Sequence, residues 1–252
     1  MPLILLIIKI YIKISISKVY KLIMKILAIQ NRMGIGDTVI FLPYIQAISK
    51  KFNSPVSILV KKNSKADQFL TQTNYIDKII FLERDNQKKE RHDGLMGSVR
   101  LAQDLKKYKF DIVFIFNSSL RFNLISRLSG IKKIYQYPLF KKTNQHLTKP
   151  AIDLIKENLN LEVNDNPQIQ IDKNLIEMAI SKFDINNEEL NILLAIGGSG
   201  STKRIPSKTF LSVMEKINNI KKCKFFLATG KNEDEQIILN EIINSKFKDK
   251  CI

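Results

Sequence analysis

Short apolar runs alternate with longer amphipathic stretches along the first half of the chain. Residues 26–30 are predicted to form a short buried strand, because residues 26–29 form a continuous apolar run. In residues 38–51 the apolar positions recur at helical spacing, which predicts an amphipathic helix. Further strands are predicted at 56–60, 76–82 and 110–116, and further helices at 66–71, 99–108, 120–128 and 152–159.

The same rhythm restarts in the second half, after a polar and turn-rich stretch at 160–167. Helices are predicted at 175–183, 208–218 and 233–243, and strands at 191–196 and 223–229. Strands that alternate with helices indicate the α/β class with parallel sheets. We therefore predict two domains, at 24–160 and 168–252, with the linker between them.

Two segments lack such a pattern. Residues 83–97 are highly charged and contain Gly94 and Gly97, which predicts a mobile surface loop. Residues 131–149 are basic and aromatic, and no regular element is predicted there.

The first 23 residues are apolar and basic, but lysines interrupt the apolar run before it reaches the length of a membrane-spanning helix. The basic residues follow the apolar core rather than precede it, which argues against a signal peptide. We favour a translation start at Met24, with residues 1–23 as upstream reading frame. The alternative is an interfacial membrane anchor.

The formal net charge is +17, which would suit a polyanionic partner. Lysine is abundant along the whole chain without an arginine-rich arm, so we favour compositional bias and predict no nucleic-acid partner. A basic surface would still help the protein to lie on anionic lipid. Cys223 and Cys251 are too few for a disulfide framework, which suits a cytoplasmic protein. His92 and His146 do not stand at metal-ligand spacing from a cysteine, so no metal site is predicted.

The first candidate site is the glycine-rich loop after the first predicted strand. Gly34 and Gly36 allow a tight turn and a close approach of the backbone to a ligand. Asp37 follows at the start of a helix, where it is either a general base or an N-cap, and the spacing alone favours the cap. A dinucleotide fingerprint is excluded, because its third glycine is replaced by Val39.

The second candidate site is a loop in the other half with the sequence GGSGSTK, ending at Lys203. Its backbone N–H groups, hydroxyls and lysine favour phosphate binding, although a solvated surface turn fits the composition equally well. Glu233, after the next strand, either accepts hydrogen bonds from ribose hydroxyls or favours the helix N-terminus. Loops at strand ends are where parallel sheets bind ligands, so the two loops suggest two halves of one interdomain cleft.

Three segments in this order resemble the lipopolysaccharide heptosyltransferase family, glycosyltransferase family 9. The first is MKILAIQNRMGIGD at 24–37, and the second is FDIVFIFN at 110–117, followed by Leu120 and Arg121. The third is IGGSGSTKRIP at 196–206, in which Ile205 replaces the family's usual tryptophan. The similarity extends from Met24 to about residue 243.

The resemblance implies a GT-B fold with two Rossmann-like domains, the first for the acceptor and the second for a nucleotide-sugar, typically ADP-heptose. It implies inverting transfer without a metal or further cofactor, onto a glycolipid acceptor at the membrane surface. Asp37 corresponds to the base that deprotonates the acceptor hydroxyl, in a loop with Gly34 and Gly36 on the acceptor side. Arg121 is a candidate for contact with an anionic acceptor.

On the donor side, the resemblance implies that Lys203 neutralises the departing diphosphate. It places Gly198 and Ser199 at the phosphates and Glu233 at the ribose. The family continues beyond the point that corresponds to Ile252, so we expect an incomplete second domain, either from a truncated sequence or in a degenerate member. Two hypotheses follow: a glycosyltransferase at the cytoplasmic face of the membrane, and a non-catalytic nucleotide-sugar-binding remnant.

Overall fold

The computed structural model contains two compact units, which divide between Ile171 and Asp172. Residues 1–23, the predicted leader, lie outside the described residues. Within the described part of the chain, no helix is both long enough and apolar enough to cross a bilayer. The described residues are 24–32, 34–84, 90–139, 146–186, 188–198 and 204–252.

The first unit is built on a five-stranded parallel sheet with the strand order β3-β2-β1-β4-β5. Its strands are β1 (Ile26–Ile29), β2 (Val56–Lys61), β3 (Ile76–Leu82), β4 (Ile112–Ile115) and β5 (Lys133–Gln136). Its helices are α1 (Ile35–Phe52), α2 (Ala66–Phe69), α3 (Gly94–Lys106), α4 (Leu120–Leu128) and α5 (Lys149–Leu159). A 3₁₀ turn at Lys62–Ser64 follows β2.

The central strand β1 divides the core of this unit into two clusters. Ile26 and Ala28 pack on one face of the sheet, with α1 and α5, and Leu27 and Ile29 pack on the other face, with α3 and α4. All four residues of β1 are buried. The predicted buried strand is therefore confirmed, and its apolar residues are covered on both faces of the sheet.

The two segments without a predicted pattern are more regular than expected. The 131–149 segment contains β5, an edge strand whose residues are exposed or half-buried. Such a strand needs no continuous apolar run, which explains why the pattern missed it. In the 83–97 segment, α3 begins at Gly94, so the connection before it is shorter than predicted.

The predicted linker lies against the first unit. Leu161 and Val163 pack on the core cluster of α1 and α5. Further along, the Tyr75 hydroxyl donates to the carbonyl of Gln168 at 3.4 Å, and the Asn74 N–H donates to the Gln170 side chain at 3.4 Å. These contacts explain why the first compact unit extends to Ile171.

The second unit contains a two-stranded parallel sheet among its described residues. Its strands are β6 (Leu190–Ala195) and β7 (Cys223–Ala228), and its helices are α6 (Lys173–Lys182), α7 (Ser207–Ile220) and α8 (Glu233–Ile243). Phe225, Met214 and Ile242 are fully buried at the centre of its core. Cys251 forms a parallel β-bridge with Phe225 of β7.

Candidate functional site

The loop after β1 enters α1 through a glycine. Gly34 is the N-cap, with φ of +105°, and its carbonyl accepts from the Thr38 N–H at 3.4 Å and the Thr38 hydroxyl at 3.3 Å. A side chain rarely adopts this φ, so the position favours glycine. Gly36 is exposed in the first turn, and nothing lies within 4 Å of where its Cβ would stand.

Asp37 therefore lies inside α1 and does not cap it, contrary to what the spacing favoured. The helix begins at Ile35, because glycine at position 34 lets the chain turn into it early. Asp37 is half-buried in the first turn, and one of its carboxylate oxygens would lie 3.6 Å from a Cβ added at Gly34. Among the described residues no hydrogen bond to this carboxylate occurs. The carboxylate lies in the positive field of a helix N-terminus.

Amide side chains hold the first loop in place. Gln30 is buried, donates to the carbonyl of Asp37 at 3.0 Å and accepts from the Arg32 N–H at 2.8 Å. Asn31 accepts from the Asn117 side chain at 3.0 Å, which joins the ends of β1 and β4. These amides were not predicted from the sequence. The signal that could have identified them is their position as polar residues directly after buried strands.

The same network continues to the end of β5. Gln136 donates to the carbonyls of Asn117 at 3.1 Å and Ser119 at 2.9 Å, and it accepts from the Asn123 side chain at 2.8 Å. The carboxyl ends of β1, β4 and β5 are thereby connected through uncharged groups.

An aromatic cluster joins α1 to the residues that follow β4 and β5, on the α1 face of the sheet. The rings of Phe41 and Phe116 lie 5.2 Å apart, and Phe116 also contacts Tyr44 and Tyr137. Burial, assisted by the charge of Asp165, raises the pKa of Tyr44 to about 12 and overcomes the opposing effect of Thr148. Burial likewise raises the pKa of Tyr137. Both phenols are therefore neutral at physiological pH.

Arg121, the predicted acceptor contact, is already engaged with the connection before α3. Its guanidinium donates to the carbonyl of His92. Its Nε is buried and makes no hydrogen bond within the described part of the chain. Burial and the nearby charge of Arg84 lower the pKa of Arg121, an effect that Asp93 partly offsets. The side chain thus has a structural contact and one donor still without a partner among the described residues.

His92 is a buried structural residue. Its Nδ1 accepts from the Glu83 N–H at 3.0 Å, so the ring proton is assigned to Nε2, which lies 3.4 Å from an Asp104 oxygen. Arg91 and Lys107 donate to Asp104 as well, each at 2.8 Å. Burial alone would raise the pKa of Asp104, but these hydrogen bonds outweigh it and hold the pKa far below its usual range.

In the second unit a buried carboxylate organises the strand-end loops. Glu235 accepts from the Gly198 N–H at 3.1 Å, after β6, and from the Gly230 N–H at 2.8 Å, after β7. Only 7% of its surface is exposed. A Cβ added at Gly197 would lie 3.2 Å from this carboxylate, and one added at Gly230 would lie 2.6 Å from it. A side chain at either position would therefore have to displace the end of the Glu235 side chain.

Glu233, the predicted ribose contact, is exposed at the first residue of α8. The acidic first turn contains three candidates, and only Glu235 lies in line with the core residues Leu239 and Ile242. That position within an apolar stripe is the signal that could have singled it out. Asn232 caps the helix by accepting from the Asp234 N–H at 3.0 Å.

The structure places Gly198 beside Glu235, whereas Ser199 and Lys203 lie outside the described residues. Arg204, which follows directly, forms an ion pair with Asp234 at the start of α8. Among the described residues, no group of three or more His, Cys, Asp or Glu side chains could hold a metal ion.

No protein-family model matches this chain, and neither does any curated protein sequence. Solved structures do match. ADP-heptose lipopolysaccharide heptosyltransferase II of E. coli is similar over 90% of this chain and 71% of its own, with a TM-score of 0.66 and 14% identity. A family 9 glycosyltransferase of Veillonella parvula is similar over 88% of this chain and 67% of its own, with a TM-score of 0.66 and 16% identity.

A third match is the E. coli heptosyltransferase WaaC with ADP, over 88% of this chain and 72% of its own, with a TM-score of 0.60 and 13% identity. The fold is GT-B. The predicted α/β class is confirmed, and the predicted resemblance to glycosyltransferase family 9 is confirmed as a similarity of fold. In this GT-B chain, Asp37 follows the central strand of the first unit, and Glu235 supports the loops of the second.

Proposed function

We propose that this protein is an inverting glycosyltransferase that moves a sugar from a nucleotide-sugar to an envelope glycolipid. ADP-heptose is the expected donor, and lipopolysaccharide core or a related glycolipid is the expected acceptor. The structural similarity to heptosyltransferases supports the reaction class. A peripheral position at the cytoplasmic face of the membrane follows from a glycolipid acceptor.

The observation that carries the proposal is the position of Asp37 in the first turn of α1. Its carboxylate makes no hydrogen bond to another described residue and stands at the carboxyl end of a buried strand. Such a carboxylate is suited to take the proton from an acceptor hydroxyl as that oxygen attacks the anomeric carbon of the donor. The bond between this carbon and the diphosphate oxygen breaks in the same step, which inverts the configuration.

On the donor side, the diphosphate would lie at the loop GGSGSTK, next to Gly198. Lys203 would neutralise the charge that grows on the leaving group, and Ser199 would donate to a phosphate oxygen. Glu235 would act as a positioning residue, since it holds the backbone at both Gly198 and Gly230. Glu233 remains the proposed contact of the ribose, and its exposure leaves it accessible to a ligand.

The test measures donor binding and transfer separately. Calorimetry with ADP measures donor-side affinity, which we expect Lys203→Ala to weaken and Asp37→Asn to leave unchanged. Transfer from ADP-heptose to a heptose-free lipopolysaccharide measures the reaction. Absence of both binding and transfer in the unsubstituted protein would refute the proposal, and binding of ADP without transfer would support the non-catalytic alternative.

A further inference from the structure

Two neighbouring helices of the first unit turn apolar side chains towards solvent. Leu95 on α3 is 90% exposed, and Leu128 on α4 is 64% exposed. We define the α3–α4 surface by the six large apolar side chains that these helices expose. They are Leu95, Met96, Val99, Leu120, Leu124 and Leu128.

The exposed residues form stripes opposite the buried faces of their helices. On α4, Leu120, Leu124 and Leu128 follow one another at intervals of one helical turn. The core face of the same helix is formed by Phe122 and Ile125, which are buried. Because α3 and α4 pack side by side on one face of the sheet, their outward stripes belong to one side of the unit. Apolar stripes on the outer side of both helices exceed what folding of this unit requires.

The α3–α4 surface is also basic. Arg100, Lys106 and Arg127 are exposed on these helices and have no acidic partner within the described part of the chain. The acid on the two helices is Asp104, whose oxygens are occupied by Arg91 and Lys107. Apolar side chains flanked by arginine and lysine are the composition of helices that lie in a bilayer interface.

We propose that the α3–α4 surface docks onto an anionic phospholipid bilayer, with its leucines and methionine in the interface and its cations at the lipid phosphates. A second copy of the chain is a poorer occupant, because a symmetric contact would bring like charges together. Docking through this surface would place the protein at the proposed peripheral position on the membrane. It does not depend on the transfer reaction, since vesicle binding needs neither donor nor acceptor.

The experiment measures co-sedimentation of the full chain with vesicles of phosphatidylcholine alone or with phosphatidylglycerol added. We expect binding to the anionic vesicles and little binding to the neutral ones. The double variant Leu124→Ser with Leu128→Ser should reduce the partition coefficient by at least tenfold, since the loss of only two buried CH₂ groups, at about 0.8 kcal/mol each, already corresponds to about that factor. The double variant Arg100→Ser with Arg127→Ser should reduce binding by roughly fivefold per charge near the surface, and added salt should abolish the difference.

The control is Leu193→Ser with Ile220→Ser, two side chains of the second unit that are 70% and 87% exposed. It should bind vesicles like the unsubstituted chain, and all variants should keep the same unfolding temperature. Unchanged vesicle binding in the Leu124 and Leu128 variant would overturn the proposal and assign binding to another segment. Conversion from dimer to monomer in that variant, seen by sedimentation velocity without loss of vesicle binding, would show that a second copy occupies the surface.

Discussion

The loops after β1 and after β6 both follow a strand of a parallel sheet, yet different groups hold them. In the first unit the loop is held by uncharged amides, with Gln30 bound to the backbone of Asp37. In the second unit a single buried carboxylate, Glu235, holds the backbone of two loops. The carboxylate of Asp37 thus makes no hydrogen bond to another described residue, whereas the carboxylate of Glu235 is used within the fold.

Substitution of Asp37 tests whether the carboxylate after β1 acts in transfer, and it should have the largest effect of all the variants. Asp37→Asn should lower the transfer rate by about 10²–10⁴-fold, since an amide cannot accept the proton as a general base. The rate is measured at saturating donor and acceptor, and the unfolding temperature of the variant should stay near that of the parent. A variant with near-normal turnover would show that Asp37 has only a structural part.

Substitution of Glu235 tests whether this carboxylate holds the loops of the second unit. Glu235→Leu leaves the Gly198 and Gly230 N–H groups without their acceptor, which should destabilise the second unit by about 2–4 kcal/mol. Denaturant unfolding and hydrogen exchange at both amides measure the loss. Glu235→Gln keeps an acceptor oxygen and should lose less, while Glu233→Gln, at an exposed position, should leave stability unchanged. Equal losses in the Glu233 and Glu235 variants would contradict the assignment.

The two glycines of the first loop provide a matched pair. Gly34→Ala places a side chain at φ of +105° and should destabilise the first unit by about 1–3 kcal/mol. Gly36→Ala lies in a helical turn with open space around it and should stabilise the unit by about 0.5–1 kcal/mol. Thermal unfolding of both variants gives the two signs. Destabilisation by Gly36→Ala would indicate that this turn is packed against something further.

The hydrogen bonds and ion pairs of Asp104 should make the stability of the first unit depend on pH. The pKa of Asp104 is lowered in the folded state, so its contribution is present above the unfolded value of about 3.9 and is lost as pH falls below it. Asp104→Asn should therefore cost about 1–2 kcal/mol at pH 7 and progressively less below pH 4. A difference from the parent that stays constant between pH 7 and pH 2 would refute this role.

The elements of both units were largely predictable, since their apolar periodicity depends on local spacing. Residues Leu120–Leu128 and Glu233–Ile243 form helices at the predicted bounds. The edge strand β5 was not predictable in this way, because its residues are exposed or half-buried and form no apolar run, while pairing with β4 sets its strand conformation. The predicted start of α1 was also wrong. The helix begins earlier because of the φ of Gly34, which depends on the loop that contains this glycine.

The α/β class and the glycine-rich loop after the first strand were predictable from the sequence, because they follow from periodicity and residue type, whereas Asp37 became the candidate base only through the resemblance to glycosyltransferase family 9. Only the tertiary structure decided which polar groups meet. Glu235 reaches Gly198 across 37 residues, and Arg121 reaches His92 across 29. Contacts between residues so distant along the chain arise from the packing of helices on sheets, which local spacing does not encode.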